Sequence, residues 1–260
     1  MLRALYSSAT GMKAQEYLID VTSNNLANVN TNGFKRSQLD FADLLYSTER
    51  QAGSEVVAGQ PSPVGMQIGS GVRPMGTTKN FSTGTFEQTG IPTDIAIEGD
   101  GFFQVQVGDQ IRFTRDGAFR VDGQTGNLVT VDGYLLEPAI NIPQGATDVN
   151  IGPSGVVTAS INGQTQPLGS ILVQQFVNPA GLSNEGNNQY SETVASGAPI
   201  QGNPGENGLG TLRGGYLEKS NVEVVTELIA LITAQRAYEI NSRAIRAGDE
   251  MLSTTTDLVR

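Results

Sequence analysis

Cysteine, histidine and tryptophan are absent from this 260-residue sequence. Without cysteine there are no disulfides, no thiolate nucleophile and no cysteine-ligated zinc. Without histidine there is no Ser-His-Asp triad and no imidazole to hold a metal. An enzyme built from this chain would have to work with carboxylate, lysine, tyrosine or hydroxyl chemistry. Positive charge is also scarce: 16 Lys and Arg stand against 26 Asp and Glu, a formal net charge of −10. That balance disfavours nucleic acid, which is bound mainly through lysine and arginine, and disfavours an anionic membrane surface. No run approaches the ~20 apolar residues that span a bilayer, so no membrane insertion is expected. The opening "MLRALYSSATGMKAQEYL" lacks the continuous apolar stretch of a secretory signal. The expectation is a chain that stays in the cytoplasm or leaves by a route without signal cleavage.

What is present falls into three zones. Residues 1 to about 28 read as a helix, with Leu2, Leu5, Ala9, Met12, Ile19 and Leu26 at 3/4 spacing. Leu18 and Val21 extend the apolar character to a neighbouring face. The middle is rich in glycine and proline, spread without a period, which points to turns. Alternating runs such as Phe103-Val105-Val107, Ile111-Phe113 and Phe119-Val121 are separated by Gly108-Asp109, Asp116-Gly117, Asp122-Gly123, Gly126-Asn127 and Asp132-Gly133. These are hairpin signals between short antiparallel strands. The third zone returns to helix. Ser220 and Glu223 have capping-box spacing. Val222, Val225, Ile229 and Ile232 form one apolar seam, and Val224, Leu228, Leu231, Tyr238, Ile245 and Leu252 a second. Two seams on one long helix require cover from more than one side.

The expected fold class is therefore α+β. Long N- and C-terminal helices pair as a coiled coil, with a mainly antiparallel β middle domain and an extended, hairpin-like excursion rich in Gly, Ser and Pro. The expected divisions are 1–30, 31–75, 76–217 and 218–260. A two-helix pair cannot hide all the apolar surface of its members, and what is left over marks an association site. The expected self-assembly residues are Leu2, Leu5, Met12, Ile19, Asn24, Asn25, Leu26, Asn28, Val222, Val225, Leu228, Ile232, Arg236, Tyr238, Glu239, Ile245 and Leu252. Asn24 and Asn28 lie four apart, and an asparagine at a helix interface fixes register at a cost in stability. A frayed, turn-prone helix end is the other reading of the same asparagines. Asn30, Asn32 and Gly33 turn the chain out of the helix.

The acidic residues do not announce chemistry. Asp100, Asp116, Asp122 and Asp132 are irregularly spaced, and no window offers an EF-hand loop. Asp94, Glu98 and Asp100 cluster beside Phe102-Phe103, but no spacing identifies a pair for glycoside hydrolysis. They read as solvated acids near strand turns. Arg236, Arg243 and Arg246, with Glu239 between, read as helix-surface ion pairing, some of it between subunits. No cofactor and no metal are expected.

The two ends carry a family likeness. "SSATGM" with "SNNLANVNTNGFKR" near the N-terminus, and "SNVEVVTELIALITAQRAYEINSRAI" near the C-terminus, together resemble the bacterial flagellar rod and hook axial proteins. "IAIEGDGFFQV" and "FTRDGAFRVDGQTGNLVTVDGYLL" are similar to that family's β-domain motifs. The excursion ending "GMQIGSGVRP" is similar to the extra segment of distal rod subunits. The resemblance implies a structural, non-enzymatic subunit of a rigid, hollow, helical rod that crosses the periplasm and transmits torque. It implies export without a cleaved signal. Its partners would be further copies of itself, proximal rod proteins, the hook protein, surrounding ring proteins and the flagellar type III export apparatus. Extra chain between subunits, with Tyr46, Pro61, Pro63, Ile68 and Gly71 within it, would stiffen such a tube. Another axial subunit of the family, or a coiled-coil adaptor forming a closed oligomer, stands as the alternative. A discrete mass would mark the closed oligomer and a concentration-dependent ladder the open one.

Overall fold

The computed structural model describes residues 2–53, 55–57, 60–61, 63–161 and 163–258; the side chains of Leu2, of positions 55–57, 60 and 61, and of 256–258 lie outside this description. The described chain forms two units.

The first unit holds residues 1–26, 37–78 and 224–260. Helix α1 runs Leu2–Ala27 and helix α2 runs Val224–Leu258. Their 26 and 35 residues correspond to about 39 and 52 Å of helix. α2 starts at Val224, later than the Ser220 cap signal suggests. Tyr216–Glu218 is instead a strand paired with Phe86–Gln88, and the Ser220 hydroxyl accepts from the Val222 amide. The excursion is a chain of two-stranded ribbons. Ser37–Asp43 lies beside Val72–Lys79, Ser47–Arg50 pairs antiparallel with Met66–Ile68, and Glu55–Val57 with Gln60–Pro61.

The second unit holds residues 27–36 and 79–223. Seven strands form its main sheet in the order 120–121, 128–129, 135–137, 103–107, 110–114, 189–191, 183–186, each antiparallel to its neighbour. A three-stranded antiparallel sheet (147–151, 156–161, 164–170) and three strand pairs complete it. Successive strand residues point to opposite faces, so the doublet Phe102-Phe103 feeds two cores. Phe103 joins Ile95, Ile97, Val105, Phe119, Leu128 and Leu136. Phe102 joins Phe113, Phe176, Leu182 and Tyr190 in a set of edge-on rings.

The hairpin signals hold in most places. Gly108, at φ +62°, and Asp109 close a two-residue loop where Val107 faces Gln110. Asp122 accepts from the amides of Gln124 and Thr125 and from the Thr125 hydroxyl, which holds its carboxyl below the usual range. Asp116-Gly117 is different. Gly117 is there for close approach, because a Cβ would lie 1.6 Å from the Ile95 carbonyl oxygen. Nor is Asp94 a solvated acid: it is buried, and Arg120 pairs with it at 2.9 Å. Glu98 does face solvent, paired with Arg213 at 3.2 Å.

Candidate self-assembly interface

The two helices run antiparallel in a fixed register. Asn25 meets Glu227 through a 3.3 Å hydrogen bond, the position of Gly11 abuts Asn241, and Leu5 abuts Gly248. Fourteen residues down α1 thus match fourteen up α2, two heptads on each side. The positions that this register buries are small or polar: Ala14, Thr22 and Asn25 on α1, with Glu227, Ala234 and Gly248 on α2. A Cβ at Gly248 would come within 2.7 Å of Leu5 Cδ2, and one at Gly11 within 3.0 Å of Asn241 Nδ2. Small residues let the helix axes approach closely, and a side chain at either glycine would press on Asn241 or Leu5.

Asn25 is the polar residue that fixes this register. Its amide also donates to the Ser37 carbonyl at 2.8 Å, and its carbonyl accepts from the Ser37 amide at 2.9 Å. One side chain therefore ties α1 to α2 and to the first ribbon strand. Asn24 is exposed. Asn28 lies beyond the helix, where it accepts from the Thr31 hydroxyl.

The large apolar side chains of α2 face outward. Val225 is 64% exposed, Ile229 60%, Ile232 49%, and Ile240 also faces solvent. Positions 225, 229, 232, 236, 239 and 243 advance by alternate steps of four and three, a heptad stripe that Arg236, Glu239 and Arg243 continue. Leu228, Arg236, Tyr238 and Glu239 are likewise exposed, and Glu239 pairs with Arg243 at 3.7 Å. Leu5, Met12, Ile19 and Leu26 on α1 are half-buried, as are Ile245 and Leu252 on α2. Val222 is buried but precedes α2 and belongs to the β unit.

The turn after α1 is built as its residues suggest. Thr31 and Phe34 amides donate back to the carbonyls of Asn28 and Thr31. Asn30 is exposed, and the Asn32 carbonyl accepts from Asn188 Nδ2 at 2.8 Å. Gly33 has φ +68°, and a Cβ there would lie 2.7 Å from the backbone of Arg115. On the ribbons Tyr46, Pro63 and Ile68 are exposed. Gly71, at φ +109°, packs on α1: a Cβ would lie 2.2 Å from Thr10 Oγ1, and the next amide donates to that hydroxyl. The side chains of Leu2 and Pro61 lie outside the described residues.

Sequence reading named Asn25 and Leu5 but missed the α2 side of the buried seam. Its signal was available: Glu227, Ala234, Asn241 and Gly248 recur every seven residues, as do Gly11, Leu18 and Asn25. It also missed a buried ionic cluster in the β unit. Lys35 Nζ lies 2.6 Å from Glu218 Oε1, and Arg115 Nη1 3.9 Å from Glu218 Oε2, all three side chains at most 1% exposed. Burial pushes the Lys35 ammonium down from its ordinary value and the Arg115 charge adds to this, while Glu218 opposes both. Burial likewise lowers Arg115 and raises the Tyr190 phenol nearby. Among the described residues, no group of three or more Asp and Glu is placed to hold a metal ion. No described helix is long and apolar enough to cross a membrane.

Three family models match separate stretches: "Flagella basal body rod protein" over residues 5–35, "Flagellar hook protein FlgE/F/G D1 domain" over 96–159, and "Flagellar basal body rod FlgEFG protein C-terminal" over 213–258. Curated relatives match throughout. The flagellar basal-body rod protein FlgG of Buchnera aphidicola subsp. Schizaphis graminum is 50% identical over 261 residues, covering 99% of this chain and 100% of the relative. That of Borreliella burgdorferi is 43% identical over 265 residues, and that of Bacillus subtilis 40% over 269, each covering 100% of both chains. The helix pair, the turn and the β unit all lie inside these matches, and the chain belongs to the flagellar basal-body rod protein FlgG family.

Proposed function

We propose that this chain is the structural, non-catalytic subunit of the distal flagellar rod, a helical homopolymer that works as a rigid hollow drive shaft and passes motor torque to the hook. The observation that carries this reading is the division of labour on α2. Its inward seam is made of small and polar residues that pack on α1, whereas Val225, Ile229 and Ile232 face outward. An outward apolar stripe on every copy, met by a different surface of the next, gives an open polymer. In this reading residues 1–30 and 218–260 form the inner assembly domain, 31–75 the connecting region with its excursion, and 76–217 the outer domain. The excursion, with Tyr46, Pro61, Pro63, Ile68 and Gly71, bridges to a neighbouring copy and stiffens the tube. Its exposed side chains support this, because an isolated two-stranded ribbon is marginal alone. The chain leaves the cell interior through the flagellar type III apparatus without signal cleavage. It takes its place in the basal body between proximal rod proteins and the hook protein, inside the surrounding rings.

The test is sedimentation and negative-stain microscopy of the full-length protein across concentration, beside a chain trimmed to residues 31–219. Concentration-dependent tubes from the full-length protein alone are expected. Discrete rings of one mass would overturn the open-polymer reading in favour of a closed adaptor.

A further inference from the structure

The β unit contains two short segments that are far apart in sequence and side by side in space. One is the turn that follows α1, residues 27–36; the other is the stretch that precedes α2, residues 216–223. The Gly33 amide donates to the Glu218 carbonyl at 2.8 Å, and the Arg36 amide to Asn221 Oδ1 at 2.7 Å. Between and beneath them sits the ionic cluster. Glu218 Oε1 accepts from Lys35 Nζ at 2.6 Å and from the Gly84 amide at 2.9 Å. Glu218 Oε2 makes no hydrogen bond and faces Arg115 at 3.9 Å. Arg115 is held by the carbonyls of Gly99 at 2.6 Å and Ile97 at 3.4 Å, both outside the two segments.

The electrostatics are asymmetric. Two cations, Lys35 and Arg115, share one carboxylate at full burial. Without Glu218, docking Lys35 would bring an ammonium beside a fixed guanidinium with only the weaker pull of Asp100 to offset the two charges, and a buried charge stripped of its main partner is strongly unfavourable. Without Lys35, Glu218 Oε1 keeps only the Gly84 amide, and its other oxygen has a distant partner. Each segment thus supplies what makes burial of the other tolerable. We infer that Glu218, shared between Lys35 and Arg115, makes docking of the post-α1 and pre-α2 segments mutually conditional, so that both segments are seated in the β unit or neither is. The device checks that both segments have docked, and it holds independently of the polymer reading.

Hydrogen exchange read by mass spectrometry on the full-length chain tests this. With Lys35→Met, amides of 216–223 are expected to exchange faster by about 150-fold or more, the lower end of what loss of a buried charge partner corresponds to. Glu218→Gln is expected to do the same to 31–36. Amides of Phe103–Val107, in the centre of the main sheet, are expected to keep their protection. Acceleration confined to the substituted segment would overturn the inference. Should either variant lose protection throughout, the wild-type chain supplies the answer. In low denaturant the amides of Gly33 and Arg36, in one segment, and of Lys219, in the other, are expected to converge on one opening free energy and one denaturant slope. Separate openings of the two segments would refute the coupling.

Discussion

Replacing Ile229 and Ile232 by serine separates assembly from folding. Both residues lie on the outward stripe of α2, 60% and 49% exposed. Complete burial of an isoleucine side chain is worth about 1.5–3 kcal/mol, so covering the exposed half or so contributes about 1–1.5 kcal/mol at each site. The pair then accounts for about 2–3 kcal/mol per subunit added to the polymer, and each 1.4 kcal/mol is about a factor of ten. Ile229→Ser with Ile232→Ser is therefore expected to raise the critical concentration for polymerisation roughly 30- to 150-fold. The isolated chain should notice little. Exposed substitutions usually change stability by less than about 0.5 kcal/mol, and serine and isoleucine have similar helix propensity. Pelleting over a concentration series measures the first quantity, and thermal melting by circular dichroism at low concentration measures the second. A critical concentration within threefold of wild type would refute the assignment of this stripe to the contact between copies. A large fall in melting temperature would show that the stripe is covered within the chain.

Three other substitutions probe the framework. Asn25→Ala removes a bond to Glu227 and both bonds to Ser37; it should cost about 2–3 kcal/mol by chemical denaturation, because buried polar partners are left behind. Gly117→Ala places a methyl 1.6 Å from the Ile95 carbonyl and should destabilise the β unit by about 3 kcal/mol or more. Burial pushes the Asp116 carboxyl above its ordinary 3.8, with the Asp94 and Asp132 charges adding to this. The folded state thus disfavours ionised Asp116, a penalty present at neutral pH and relieved as pH falls through the folded value toward the unfolded one. Asp116→Asn keeps an acceptor for the Ala118 amide and escapes that penalty. Its stability relative to wild type should be highest near neutrality, with the gap gone below about pH 3.8; a gap independent of pH would contradict this.

Much of the fold was legible because local rules and tertiary demands agree. Glycine at φ +62° before Asp109 makes a hairpin wherever alternating strands flank it, and Phe103-Gln104-Val105 can only be a half-buried strand. Helix existence was equally plain from the 3/4 spacing. Helix facing was not. Apolar periodicity selects the stripe with the largest side chains, and on α2 that stripe points outward. The seam that meets α1 is written in alanine, glycine and asparagine, which carry little hydrophobic signal. The four-residue spacing of Asn24 and Asn28 singled out those two as register setters, whereas Asn25, also among the expected residues, does the bridging within the chain. The ionic cluster left no trace in sequence at all: Lys35, Arg115 and Glu218 are separated by 80 and 103 residues, and only the folded β unit brings them together.

That inversion has a thermodynamic consequence. Alanine and glycine bury little area, so the α1–α2 seam gains less from water exclusion than an equally long leucine seam would. What it gains is register: Asn25 opposite Glu227 sets one alignment and penalises slippage by a heptad, which would pair neither group. The pair is thus aligned strongly and held weakly. Long helices with a weak mutual hold depend on other packing for most of their stability. On α2 the unspent packing surface is the outward stripe. A subunit arranged in this way keeps unspent apolar surface on α2 for whatever covers that stripe.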